Sequence, residues 1–301
     1  MVSWKNVLKA YIDLTRAHFF FVWPLLFCSG LMLAFQDRGG FSWQLVIKAA
    51  LIGLMGFEAG LVLNDYVDRK KDRLDVEFNR LTKYWRPFGS RPIPSGQIDP
   101  KNALVLFFLL AALAAALILT LPYPNSLYVL VLMGYSYGAE YFYQVKKRDQ
   151  RYPIAQLVGR TDLALFPVAG YLCYGSPDST ALLYFIFLYP WALAHLGVND
   201  LADIANDRAR KMNSIAVLYG LKGTAYWISG FTIIHALVAT QFMAILGPIA
   251  SGGFMLALLL LVCANILILK GKSPEAAQKV LPLFHASLLV YALSIITDYL
   301  F

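Results

Sequence analysis

Asn64-Asp65-Tyr66-Val67-Asp68-Arg69-Lys70-Lys71-Asp72 and Asn199-Asp200-Leu201-Ala202-Asp203-Ile204-Ala205-Asn206-Asp207 share one pattern, N-D-x-x-D-x-x-x-D, and an arginine follows each copy at once, Arg73 and Arg208. In both copies the acids fall at i, i+3 and i+7, a spacing that places them on one helical face. Neighbouring carboxylates so placed stand about 5–6 Å apart and, at an effective dielectric near 20, repel by roughly 3 kcal/mol per pair. Six such groups in two facing clusters require cations. Oxygen-only ligands from separate helices suit Mg2+, which keeps waters and bridges carboxylates to phosphates. Neither copy contains cysteine or histidine, which argues against zinc.

Each copy is preceded by an apolar run. Charged residues make up 15% of the 301 residues, against about 25% in a soluble domain, and 59% are hydrophobic. Nine runs are long enough to read as membrane-spanning helices: Ala17–Phe35, Trp43–Leu63, Ala103–Leu121, Ser126–Tyr143, Ala155–Tyr174, Ala181–Val198, Ala225–Leu246, Gly252–Leu269 and Val280–Thr297. The first is too long for a signal core and has no clear small-residue cleavage site after it, so it is read as part of the mature chain. The acidic copies follow the second and sixth runs, four helices apart. That predicts an all-α, polytopic membrane protein with nine transmembrane helices around a central cavity. It is one domain over 1–301, with pseudo-repeat halves at about 1–150 and 151–270 and a ninth helix. Repeats of this kind place a site at the interface of the halves.

The net charge is +8, but its distribution points to a bilayer and not to nucleic acid. With the N-terminus inside, 23 of the 26 lysines and arginines fall on one side of the nine runs. By the positive-inside rule the N-terminus and the long loops are cytoplasmic and the C-terminus is outside. The outer loops are short and nearly uncharged, so function is expected at the cytoplasmic face. The longest loop, Asn64 to Asn102, holds a charged stretch of helical character and then a turn at Arg91-Pro92-Ile93-Pro94-Ser95-Gly96. Cys28, Cys173 and Cys263 lie apart inside apolar runs and read as small buried residues, with no disulfide framework or zinc spacing.

Cations stand beside the acids. Lys146, Lys147, Arg148 and Arg151 follow the fourth run, and Arg73, Arg91 and Arg208 lie near the two copies. A diphosphate held between Mg2+ and such side chains is neutralised as a leaving group. Ionising an allylic diphosphate leaves a carbocation, which aromatic faces such as Tyr135, Tyr137, Tyr141, Phe142 and Tyr143 stabilise. Glu58, Arg160 and Asp162 lie within or at the ends of runs, where ionisable groups default to functional candidates. Arg160 and Asp162 are two residues apart and so are expected on different faces. His195 is one turn before Asn199, where either can line a cavity.

These segments resemble the UbiA superfamily of membrane prenyltransferases. Asn64, Asp68 and Asp72 match the family's N-D-x-x-D-x-x-x-D after the second helix. Asp203 and Asp207, with Asp200 preceding, match its D-x-x-x-D after the sixth. Arg91 to Gly96 resembles the family's R-P-I-P-x-G segment. Tyr143-Gln144-Val145-Lys146-Lys147-Arg148 is similar to Y-x-x-x-K-R, with Lys147 and Arg148 the nearest matches and Lys146 kept as the alternative. The chain departs from the pattern by added length between Asp75 and Arg91.

The resemblance implies Mg2+-dependent transfer of an isoprenyl group from its diphosphate, geranylgeranyl diphosphate for example, to a lipid-soluble or amphipathic acceptor. Aromatic quinone precursors and an archaeal-type glycerol phosphate ether lipid are both such acceptors. It makes Asp68, Asp72, Asp203 and Asp207 the catalytic acids and adds Asn64, Asp65 and Asp200 as further metal ligands. Arg73, Arg91, Lys146, Lys147, Arg148 and Arg208 become diphosphate contacts, and Tyr143, His195 and Asn199 line the prenyl and acceptor cavity. Two other readings use the same features: a membrane terpene cyclase, with the same ionisation but no acceptor, and a transporter built on duplicated halves. Replacing Asp68 or Asp203 by alanine should abolish turnover while leaving folding largely intact. Full activity of both variants in a product assay refutes the metal-cluster reading.

Overall fold

The computed structural model describes residues 4–301. Among them the chain forms α1 (Trp4–Leu14), α2 (Val22–Arg38), α3 (Trp43–Asp68), α4 (Leu81–Trp85), α5 (Pro100–Leu119), α6 (Asn125–Lys146), α7 (Ile154–Gly159), α8 (Thr161–Tyr171), α9 (Ser179–Ala202), α10 (Ile204–Arg210), α11 (Ile215–Met243), α12 (Pro248–Gly271) and α13 (Pro274–Leu300), with no strand. The starts of the long helices are chemically marked. Ser42 accepts from the Leu45 amide at the head of α3, and Asp178 accepts from Ala181 at the head of α9. Asp99-Pro100 and Ser273-Pro274 open α5 and α13, where a capping side chain followed by proline suits the unpaired first turn.

Six helices enclose a central space. α2 packs on α3, α3 on α6, α6 on α8, α8 on α9, α9 on α13, and α13 returns to α2. A second layer lies outside: α5 against α3, α11 against α9, and α12 against α11 and α13. The outer helices expose large apolar side chains such as Phe108, Leu109, Leu259 and Val262. A continuous apolar exterior of this kind belongs against lipid.

Six segments are long and apolar enough to cross a membrane: Ala17–Arg38, Trp43–Asp68, Pro100–Leu119, Ser179–Ala202, Pro248–Gly271 and Pro274–Leu300. The other three expected runs fall in α6, in α11 and in the pair α7–α8. α6 carries Tyr135, Ser136, Tyr137, Glu140 and Tyr141, and α11 is interrupted by Gly220 at φ 69°. The fifth run is broken at Arg160, whose ψ of −1° ends one helical ladder before Thr161 starts the next.

Helix length sets where the chemistry sits. α3 has 26 residues, about 39 Å at 1.5 Å per residue, against a hydrocarbon core of about 30 Å. That leaves about 9 Å, roughly six residues, beyond the apolar slab, enough for the polar carboxy-terminal turn Asn64 to Asp68. The expected charged loop follows: a 3-10 turn at Asp72–Leu74, then α4, then a turn in which the Gly96 amide donates to Ile93 at 3.2 Å. α1 holds this loop from beneath. The buried Asp13 carboxylate accepts from the Phe88 and Ser90 amides at 2.8 and 2.9 Å. Cys28 and Cys173 are buried as expected, whereas Cys263 is exposed on the outward side of α12.

α2 and α8 approach backbone to backbone. A Cβ on Gly30 would lie 1.8 Å from the Pro167 carbonyl oxygen, and one on Gly170 would lie 1.9 Å from that of Phe27. Small residues permit such contact between spanning helices. Gly170→Leu should force the pair apart at a cost of about 3 kcal/mol or more and lower the thermal midpoint in detergent by several degrees. Gly252→Ala, with nothing within 4 Å of its added methyl, should not lower it. Equal midpoints for wild type and Gly170→Leu contradict the close packing.

Candidate active site

The two acidic motifs end α3 and α9 and meet at one mouth of the central space. Asp65 and Asp68 are on the last turn of α3, and Asp72 is in the 3-10 turn beyond it. Asp200 is on α9, Asp203 terminates it at φ −101° and ψ 10°, and Asp207 is on α10. The chain thus leaves the ideal helix within both motifs, and all six carboxylates are buried. Asn64, Asp68, Asp72, Asp200, Asp203 and Asp207 line a cavity of about 370 Å³ that runs inward between the six helices.

Each carboxylate has a cationic partner or a backbone donor. Lys147 Nζ lies 2.7 Å and Arg148 Nη2 3.1 Å from Asp68. Arg91 reaches Asp72 at 2.8 Å and Asp75 at 2.7 Å. Arg210 spans the motifs, 3.5 Å from Asp72, 3.3 Å from Asp203 and 3.8 Å from Asp207, and also bonds Asp75. Asp200 accepts from the Ile215 amide at 2.8 Å. Asn206 ties the two loops together, donating to Asp203 and to the Glu77 carbonyl and accepting from the Val76 and Glu77 amides.

Asp65, expected among the metal ligands, is used differently. Arg86 Nη2 donates to both its oxygens at 2.8 and 2.7 Å, and Arg16 Nη2 donates at 3.0 Å. At about 100° per residue Asn64 and Asp68 are about 40° apart around α3, and Asp65 lies about 60° to the far side of Asp68. That rotation turns it from the cavity towards the two arginines.

Burial raises the carboxyls of Asp72, Asp203 and Asp207 above the usual range, and at Asp207 the neighbouring Asp203 and Asp200 push the same way. Burial alone would lower Lys147 and Arg210, but the adjoining aspartates outweigh it and both stay firmly charged. Among the described residues Asp203 and Asp207 of the second motif share Arg210 as their ion-pair partner, and Asp72 Oδ1 is buried without a hydrogen bond. These oxygen donors fit a hard divalent ion. Among the described residues no three of them converge as ready-made metal ligands, because the Arg210 guanidinium stands between the motifs.

The expected diphosphate contacts divide. Arg91 and Lys147 line the cavity, and Arg148 reaches it through Asp68. Arg73 and Arg208 are exposed, and Lys146 is outside the lining. Arg208 is one residue after Asp207, about 100° around the helix, whereas Arg210 at i+3 shares its face. That spacing, legible in the sequence, identifies the cation of the second motif. Arg86, Trp85 and Asp75 had no periodic signal, because they lie in the added length of the loop or at its edge.

Deeper in, the lining is aromatic: Phe19, Trp23, Phe57, Tyr137, Tyr143, Phe166 and Trp191. Trp23 and Phe57 stack with centroids 3.6 Å apart. Of the five aromatics expected on the fourth run only Tyr137 and Tyr143 take part, since Tyr135, Tyr141 and Phe142 face outward on α6. Lys147 Nζ and Arg160 Cζ stand over the Tyr143 ring at 4.7 and 5.2 Å. Asn64 donates to Glu140 at 2.7 Å. Arg160 and Asp162 both line the cavity, contrary to their spacing on one helix, because the chain breaks between α7 and α8 at Arg160. Glu58 is buried behind the lining and accepts from Trp23 Nε1 at 2.9 Å. His195 and Asn199 line the cavity as expected.

This architecture has close relatives. Residues 21–288 match the model of the UbiA prenyltransferase family. A 4-hydroxybenzoate octaprenyltransferase of Marinomonas sp. (strain MWYL1) is 31% identical over 222 residues, 71% of each chain. A digeranylgeranylglyceryl phosphate synthase of Methanothermobacter thermautotrophicus is 27% identical over 83% of this chain and 82% of its own. Among solved structures, a UbiA homolog from Aeropyrum pernix K1 superposes with a TM-score of 0.75 at 21% identity, covering 94% of this chain and 98% of that one. A UbiA homolog from Archaeoglobus fulgidus, bound to DMAPP and Mg2+, superposes with a TM-score of 0.62 at 15% identity over 95% and 99%. With the family model matched over most of its length, this chain belongs to the UbiA prenyltransferase family.

Proposed function

We propose that the protein is a nine-span, single-domain intramembrane enzyme that transfers an isoprenyl group from its diphosphate to an acceptor in an Mg2+-dependent reaction. Two pseudo-repeat halves and a ninth helix make up the chain, with the N-terminus and the acidic mouth cytoplasmic and the C-terminus outside. The observation that carries this reading is the juxtaposition at one mouth. Two buried acidic motifs face each other, cations interleave them, and an aromatic-lined cavity begins directly beneath.

Asp68, Asp72, Asp203 and Asp207 are the metal ligands in this reading, with Asn64 and Asp200 beside them. Bound Mg2+ supplies charge neutralisation of the diphosphate leaving group. Lys147, Arg91 and Arg210 hold the diphosphate oxygens by charge-assisted hydrogen bonds, and Arg148 supports Lys147 through the shared Asp68. The prenyl tail lies against Trp23, Phe57 and Phe166. Tyr137 presents its ring to the developing allylic cation without attacking it, while the Tyr143 ring, under Lys147 and Arg160, holds those two cations in place. No side chain is required as a covalent nucleophile. The acceptor is an aromatic quinone precursor or a glycerol phosphate ether lipid, the classes named for the two relatives above.

Purified protein supplied with geranylgeranyl diphosphate, Mg2+ and both acceptor classes should form a prenylated product by mass spectrometry, and none with a chelator. Absence of donor consumption under every one of these conditions overturns the proposal. Loss of a charge-assisted contact costs about 1.5–3 kcal/mol. Arg210→Gln should therefore raise the donor KM about tenfold or more, whereas Arg208→Gln should change it by less than about twofold. The reverse order would restore Arg208 to the site.

A further inference from the structure

The cavity wall made by α6 and by the break between α7 and α8 carries charged groups that the ion pairs of the mouth do not use. Glu140, Arg160 and Asp162 all line the cavity, and Glu140 is buried. Glu140 stands seven residues before Lys147 on α6, about 10 Å along the helix, so the group lies deeper than the mouth. A path of hydrogen bonds leads down to it. Lys147, paired with Asp68, donates to Gln144, and Gln144 donates to Glu140 Oε1. Asn64 donates to the same oxygen at 2.7 Å. The carboxyls of Asp162 and Glu140 lie side by side, within reach of one hydrogen.

Each member has unused capacity. Asp162 Oδ1 caps the first turn of α8 by accepting from the Leu163 amide. Apart from the Glu140 carboxyl beside it, Asp162 Oδ2 has no partner among the described residues. Glu140 takes both of its amide donors on Oε1, which leaves Oε2. Among the described residues Arg160 makes no ion pair, and its buried Nε has no hydrogen-bond partner. Its Cζ lies 5.2 Å from the centre of the Tyr143 ring, a contact that engages its charge and leaves Nε unbonded. Arginines withdrawn from water are ordinarily paired.

The signs of these charges decide what fits between them. A metal ion drawn to the two carboxyls would meet the Arg160 guanidinium, and an anion drawn to Arg160 would meet the carboxyls. A neutral group that accepts from the guanidinium and donates to a carboxyl satisfies both, and a hydroxyl does so with one oxygen. We propose that Arg160 and Asp162, with Glu140 beside them, form the acceptor subsite and hold the hydroxyl of a phenolic or glycerol acceptor. Arg160 donates to the hydroxyl oxygen and Asp162 accepts its hydrogen. The inference rests on the prenyl-transfer reading above. With the diphosphate held at Lys147 and the tail below it, the allylic C1 lies between the mouth and this wall. A hydroxyl fixed there turns its own oxygen, or the ring carbon beside it, towards C1. It also covers Asp162, so that no bare carboxylate faces the allylic cation.

The test uses purified full-length wild type, Asp162→Asn and Arg160→Gln. Each is loaded with Mg2+ and the thiolodiphosphate analogue of geranylgeranyl diphosphate, so that binding is read without turnover. Calorimetry compares two pairs of ligands. One pair is 4-hydroxybenzoate and 4-fluorobenzoate; the other is geranylgeranylglyceryl phosphate and its deoxy analogue without the free hydroxyl. Turnover of wild type with the ordinary donor names the pair that applies. In that pair wild type should bind the hydroxyl ligand about tenfold or more tightly, as expected for a hydrogen bond to charged groups. Asp162→Asn, which keeps the oxygen that caps Leu163, should narrow the ratio to less than about threefold, and Arg160→Gln should do the same. The ligand without the hydroxyl and the donor analogue should bind both variants within about twofold of wild type. Equal binding of the pair by wild type, or an undiminished ratio in either variant, overturns the proposal. So does equal loss of affinity for both members of the pair, which marks a structural role, and so does loss of donor-analogue binding, which moves the residues to the diphosphate. If wild type turns over neither acceptor, the transfer reading fails and this inference with it.

Discussion

The arrangement of the whole mouth depends on Arg210. Its guanidinium faces Asp72 and Asp75 from the first half and Asp203 and Asp207 from the second. Without a cation there, four buried carboxylates would repel across a water-poor gap at roughly 3 kcal/mol for each close pair. With it, the ends of α3 and α9 are drawn together and the loops after them close over the cavity. Asn206 completes the junction by hydrogen bonding to the backbone of Val76 and Glu77, which ties α10 to the first loop. A buried ion-pair cluster is costly to assemble. Among the described residues the buried ion pairs stand at the end of a cavity and not in the packed layers behind, which fits the ligand-handling role proposed for them.

Much of this was legible in the sequence, because membrane helices announce themselves by apolar length and the acidic copies by their spacing. Asn64, Asp68, Asp72, Asp200, Asp203 and Asp207 all reach the cavity. Angle is what adjacency hides. Arg73 and Arg208 each follow an aspartate, yet adjacency in a helix is separation by about 100°, and both side chains are exposed. Arg210, one helical turn from Asp207, was there to be found. Tyr135 and Phe142 likewise lie about 160° and 140° around α6 from Tyr137, and Tyr141 about 160° from Tyr143, and all three are exposed. Arg160 and Asp162 share the cavity because the fifth run is two helices and not one, a break that hydropathy alone does not register.

The loop residues were harder for a different reason. Tyr84, Trp85 and Arg86 lie in a stretch with no periodicity, and their positions are fixed by partners on distant helices: His285, Asn199 and Asp65. Nothing local in the sequence encodes such pairings. The added length between Asp75 and Arg91, which looked like a mere departure from the family pattern, is what brings an aromatic and cationic segment onto the cavity. It is also clamped from below by Asp13 of α1, so the amino-terminal helix serves the site without touching it.

These placements divide the cavity by polarity. At the mouth the groups are charged and paired, suited to holding a diphosphate. Beside them Tyr84, His285 and His195 are hydrogen-bonded in series, with Arg16 reaching over the neighbouring Trp85 ring. The pairing of the charges matters for a reaction that passes through a carbocation. An unpaired carboxylate close to that cation would capture it, and an unpaired lysine would repel it. Arginines and lysines locked onto aspartates do neither, and ring faces stabilise the cation without bonding to it. The same folding constraints that bury the acids against their cations thus set ring faces such as Trp23, Phe57 and Phe166 along the walls of the cavity they close.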